Sequence, residues 1–185
     1  MHGYDAKNLS DSFRTVRKNT IQIAEEIPED KYDFRPAEGT RSVAETLKHL
    51  AVGSNWPIRA HGERLTALTF DMFGEVMATA AAAEAKLVTK ADILKALHDN
   101  GEQFAAFVAG LSDDVLAETV SFPAAANQAP KTRFEMLLSS KEHEMHHRGQ
   151  LMLVERMLGI TPHLTRQMQE RMAAMMSQQK AAHGA

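Results

Sequence analysis

The segment KEHEMHHRGQL, residues 141–151, holds His143, Glu144 and His147 in the order His-Glu-x-x-His that marks many zinc peptidases. Side chains four apart on a helix lie on one face, so the imidazoles of His143 and His147 can share one ion. Such spacing argues for a metal without choosing a reaction. The longer peptidase pattern does not continue, because Gln150 stands where a glycine is needed and Leu153 where the last histidine is needed. Glu170, the candidate carboxylate further on, is separated from the motif by a helix end and Pro162. Peptidases of that type also set the helix beside a sheet edge that aligns the peptide, and no such sheet is legible here. Glu144 and His147 form Glu-x-x-His, the unit of di-iron bundles, but that chemistry needs a second copy and the chain has none.

Composition limits the remaining classes. With 185 residues, 44% of them hydrophobic and 24% charged, the chain is long enough for one well-buried core, and a single domain over 1–185 is expected. A net charge of -3 offers no basic footprint for nucleic acid or an anionic membrane surface. No leader-like start and no span of membrane length is present, so a cytoplasmic protein acting on a small molecule is expected. There are 0 cysteines, which removes disulfides, thiolate ligands and a protein thiol nucleophile together. Any metal must be held by histidine and carboxylate.

The elements that must position these side chains are helical. Phe13, Val16, Thr20, Ile23 and Ile27 form a stripe over 10–27, ended by Pro28. Ser42 and Glu45 stand in the capping-box relation and open a second helix, useful over 43–55, that Trp56-Pro57 kinks or ends. Residues 62–77 read as an ordered loop and the Ala-rich run 78–86 as a connector. Thr89 and Asp92 cap a third helix carrying Ile93, Leu97, Phe104, Phe107, Val108 and Leu111. After a loop over 120–131, Thr132 and Glu135 cap a fourth helix that runs to about Leu158, where Gly159 can end it. Thr161-Pro162 opens a fifth, Met-rich helix over about 162–182. Its Met168, Met172, Met175 and Met176 are expected to pack against the bundle or a second subunit.

On the fourth helix Met136, Ser140, His143, His147, Leu151, Val154 and Leu158 fall on one side, and Phe134, Leu137, Leu138, Met145 and Met152 on the other. A helix apolar on two flanks is expected to be central, with both histidines pointing into a crowded interior. Buried imidazoles need partners for both nitrogens, which leaves a metal and an ordinary hydrogen-bonded pair both open. His49, late in the second helix beside Gly53 and Trp56, can face the same interior. Three imidazoles from two helices would leave coordination positions free, as reactive sites do. Glu144 lies at least about 60° from His147 on the wheel and reads as a solvent-facing or supporting carboxylate. His61, His98, His163 and His183 have no ligand spacing and read as surface or loop residues.

The segment RPAEGTRSVAETLKHLA, with Pro36, Ser42, Val43 and His49, together with HEMHHRGQL, resembles the DinB-like (DinB/YfiT) family of metalloenzymes over most of residues 10–158. The resemblance implies an all-α, up-down-down-up four-helix bundle, here with an additional C-terminal helix. It implies a divalent metal, nickel or zinc, on His49, His143 and His147. Relatives of this kind include transferases and isomerases that use a low-molecular-weight thiol such as mycothiol, bacillithiol or glutathione, and the lack of cysteine is compatible with a thiol supplied from outside. The expected chemistry is Lewis-acid activation of a thiol or of water for attack on an electrophile. A thiol-dependent transferase, a metal-dependent hydrolase and a non-catalytic, metal-binding homodimer all fit the residues. The 62–88 insertion and the Met-rich tail depart from a minimal member.

Overall fold

Local sequence signals set most of the helix starts. The computed structural model describes residues 3–183 of the chain, and side chains as far as residue 180. Helix α1 (Ala6–Glu26) begins at a capping box between Asp5 and Asn8, four residues earlier than its apolar stripe indicates, because the cap needs only polar side chains. Ser42 with Glu45, Thr89 with Asp92 and Thr132 with Glu135 form the boxes that start α2 (Val43–Gly53), α5 (Lys90–Ala109) and α7 (Arg133–Met157). A cap of this kind contributes about 1 kcal/mol by satisfying amide donors that lack helical acceptors. Gly159 ends α7 with φ +79, a conformation glycine adopts without a Cβ clash.

Four helices assemble as a bundle in which α1 and α2 each pack against both α5 and α7. Their apolar faces form two clusters. One gathers Ile23, Leu47, Leu50, Leu97 and Leu151, the other Leu9, Phe13, Phe104, Val108 and Leu137. Each fully buried aliphatic or aromatic side chain contributes about 1.5–3 kcal/mol. Between these clusters along each helix lies a polar layer: Arg17 on α1, Gly101 on α5 and Glu144 on α7. A Cβ on Gly101 would stand 2.8 Å from Arg17 Cγ, so the glycine is the notch that lets the guanidinium cross the core.

Two regions differ from the sequence expectation. The second helix breaks at Ser54 and resumes at once as α3 (Asn55–Gly62), with Pro57 in the first turn, where a missing amide donor costs nothing. Residues 70–84 are neither loop nor connector but α4 (Phe70–Glu84), capped by Thr69. No residue of α4 is buried, which is why no apolar stripe announced it; the helix packs on α2 and rests on the high helix propensity of its alanines. A short helix α6 (Asp113–Ala117) and an antiparallel pair, β1 (Thr119–Val120) with β2 (Lys131–Thr132), close the loop before α7.

The appended helix α8 (His163–His183) is fastened at its start. His163 Nε2 is 3.2 Å from Asn19 Oδ1, Arg166 donates to both Glu26 oxygens, and Arg156 donates to Thr165. Beyond that foot Met168, Met172, Met175 and Met176 are exposed rather than buried against the bundle. Among the described residues no helix is long and apolar enough to cross a membrane.

Candidate metal centre

His49 from α2 and His143 and His147 from α7 converge. His143 Nε2 lies 3.0 Å from His49 Nε2 and 3.2 Å from His147 Nε2, and a ligand nitrogen from each ring falls within 4.8 Å of the others. Two nitrogens each about 2.0–2.1 Å from one zinc ion, at angles between octahedral and tetrahedral, would be about 2.9–3.4 Å apart, so both close spacings suit a shared ion.

A neighbouring amide fixes the proton of His147. The Nδ1–H of His147 donates to Gln150 Oε1 at 2.8 Å, which leaves a lone pair on Nε2 facing the cluster. The Gln150 amide donates in turn to His146 Nε2 at 3.1 Å. Glu84, from the last turn of α4, places Oε1 3.7 Å from His49 Nδ1, the ring nitrogen that does not face His143. All three imidazoles are held in the neutral form. Burial lowers His49 to about 4, with the positive charge of Arg41 and the other two rings adding to it. His143 and His147 are lowered chiefly by burial and also by neighbouring histidines and Arg41.

The cluster is less enclosed than the wheel suggests. His147 is buried, His49 half-buried and His143 exposed, so the group lies at the edge of the bundle rather than in a crowded interior. Met145, assigned to the second apolar flank, is exposed as well. His49 and His143 line a cavity of about 570 Å³ walled largely by α2, α3, α4 and α7. Its surface is largely apolar, with Phe13, Trp56, Pro57, Val76, Met77 and Met136 among the lining side chains.

Other polar residues behave differently from their sequence reading. Glu144 is neither solvent-facing nor turned toward the histidines for support: it is 1% exposed and accepts two hydrogen bonds from Arg17 Nε, at 2.7 and 3.0 Å. Arg17 completes its shell with the carbonyls of Leu97 and Leu50. Its signal in the sequence is a basic residue inside an apolar stripe, four after Phe13 and three before Thr20. His61 and His163, read as surface or loop residues, are both buried. His61 Nδ1 is 3.2 Å from Arg133 Nη1, and the fully buried Arg133 also bonds Glu118 and the Leu65 carbonyl, tying α3 and α7 together. His98 is exposed beside Asp99, as expected, and the side chain of His183 lies outside the described residues.

The comparisons with known proteins agree with this architecture. A family model described as the DinB superfamily matches residues 12–151. The uncharacterized protein YjoA of Bacillus subtilis (strain 168) is 25% identical over 152 residues, which span 80% of this chain and 88% of YjoA. The crystal structure of YjoA, a DinB-like protein, superposes with a TM-score of 0.61 at 24% identity, covering 83% of this chain and 92% of that one. At that identity the superposition speaks to the fold. The match of the family model over most of the chain, on an all-α bundle, decides the relationship: the protein belongs to the DinB superfamily.

Proposed function

We propose that the protein is a divalent-metal-dependent transferase or isomerase that uses a low-molecular-weight thiol, with His49, His143 and His147 as the metal ligands. One observation carries the metal assignment. His143 Nε2 faces two imidazole nitrogens at hydrogen-bond distance, while Gln150 holds the His147 proton on the far side of its ring. A single N–H on His143 cannot serve both contacts well, whereas one cation satisfies three converging lone pairs. Nickel and zinc both accept imidazole nitrogen, so the donor set fits either.

A divalent ion at this place supplies Lewis acidity that brings the pKa of a thiol or a water toward neutrality. The chain's own contribution is arrangement. Gln150 fixes the His147 tautomer, burial keeps the three rings neutral at physiological pH, and the neighbouring cavity has the size of a small-molecule site. With 0 cysteines in the chain, the sulfur must come from outside.

Metal analysis of the purified protein, followed by conjugation assays with several cellular thiols, tests this reading. Stoichiometric metal, lost in His147→Ala, is the expected result; equal metal in both proteins overturns the centre. Turnover that needs metal and water but no thiol would make the protein a hydrolase. A non-catalytic homodimer is the second reading, favoured by the exposed methionines of α8. Light scattering on Met172→Lys/Met175→Lys decides it: a dimer that dissociates supports the interface, and an unchanged mass removes it.

A further inference from the structure

The cavity beside the histidines has three arginines in its wall, and they are not equivalent. Arg17 is consumed by Glu144 and two carbonyls, and Arg59 is paired with Glu63 at 3.2 Å and stands 3.8 Å from Glu75. Arg41, the residue before the α2 cap, makes no hydrogen bond and no ion pair among the described residues, although it lines the same cavity. Its neighbour Glu45, which a basic residue at this place could take, is already held in a fork by Arg35. Arg41 nonetheless shares the wall of this cavity with His49, His143 and Glu84.

Arg41 is exposed to solvent, so its charge is stable there without a protein partner and its donors are open to an anion that enters the cavity. Three neutral imidazoles carry no charge to offset a divalent ion, and a guanidinium beside them adds a second positive centre. Glu84 is the one acidic group of the cavity wall besides the spent Glu144. A guanidinium presents a planar fork of donors that matches a carboxylate, with two parallel hydrogen bonds. The rest of the wall, with Trp56, Val76, Met77 and Met136, asks for an apolar body.

We infer that Arg41 is the anchor for a carboxylate on the ligand of this cavity, so that the ligand class is an apolar molecule with one acidic end held beside the three histidines. The inference rests on the proposed metal-centre reading for its chemistry, but binding at Arg41 can be measured without metal. Trp56 is the single tryptophan of the chain and lines the cavity, so its fluorescence reports occupancy.

The experiment titrates the full-length metal-free protein with 4-phenylbutyrate and with its uncharged amide, following Trp56 emission. The acid is expected to bind at least about tenfold more tightly, the scale of one charge-assisted pair. Arg41→Gln should erase that preference while leaving amide binding unchanged, Arg41→Lys should keep part of it, and Arg59→Gln should leave it intact. Equal affinities for acid and amide in the parent protein, or a preference that survives Arg41→Gln, would overturn the anchor. Cobalt(II) titration of the same two proteins separates this outcome from the metal reading. Arg41→Gln should bind the ion at least as tightly as the parent, and a parent that binds no cobalt defeats the centre while the acid preference still decides the anchor.

Discussion

Helix α7 carries two polar regions within a single turn of each other, and they are built on opposite principles. Glu144 sits in a closed layer: Arg17 supplies its charge partner, the Leu97 and Leu50 carbonyls each accept from one terminal guanidinium nitrogen, and Gly101 makes room. His143 and His147 sit in an open one, where ring nitrogens face one another beside a cavity and Arg41 has no hydrogen-bond or ion-pair partner among the described residues. A buried polar group whose every bond ends inside the protein holds the fold in register. In the open region lone pairs and charges converge on space, as the proposed metal centre requires.

The sharpest way to break this contrast is to open the closed layer. Glu144→Ala leaves Arg17 buried without a counter-charge, and about 3–5 kcal/mol of stability should be lost. Urea unfolding checks it, and a loss below about 1 kcal/mol would mean that water reaches the guanidinium and the layer is not closed.

The second buried carboxylate of the same helix tests what an unanswered acid costs. Glu155 is 0% exposed, and neither of its oxygens has a hydrogen-bond partner among the described residues. Burial first, and then the negative charge of Glu26, raise its pKa to about 7. The folded protein therefore keeps a proton that the unfolded chain releases above about 4.5, the ordinary value. Stability should fall as pH rises through this window, by up to about 1.4 kcal/mol per unit, and level off above 7. The neutral histidines act in the opposite sense, losing stability as pH falls below 6.5. The difference between the parent protein and Glu155→Gln isolates the acid: the variant should gain on the parent from pH 5 to pH 7. A constant difference across that range would mean that Glu155 is ionised and paired.

The smallest effect is expected where the contrast is most informative. His143 is exposed, and His143→Ala in metal-free protein should change stability by no more than about 0.5 kcal/mol, as surface substitutions do. Thermal unfolding with and without added zinc measures it. A large loss without metal would move this histidine into the structural network.

The parts of the molecule that follow local rules were readable from the chain. Ser42 with Glu45, Thr89 with Asp92 and Thr132 with Glu135 announce helix starts because a cap is decided within four residues. The pair His143 and His147 is legible for the same reason, and His49 joined it through the helical period of α2. Helix α4 escaped because a helix that buries nothing shows no periodic stripe. Glu144, His61 and His163 were misplaced because each is buried by a partner distant in sequence, Arg17, Arg133 and Asn19, and such pairings leave no local trace. The side on which α7 opens likewise depends on where α4 lies, so His143 reads as interior from its own helix and is exposed in the assembled bundle.

The outer wall of the cavity belongs to α4, whose Val76, Met77, Thr79, Ala80 and Ala81 border it although no residue of that helix is buried. Shape on this side is thus uncoupled from the scaffold. Exchanging bulky for small side chains there should reshape the cavity at little cost to the interior packing.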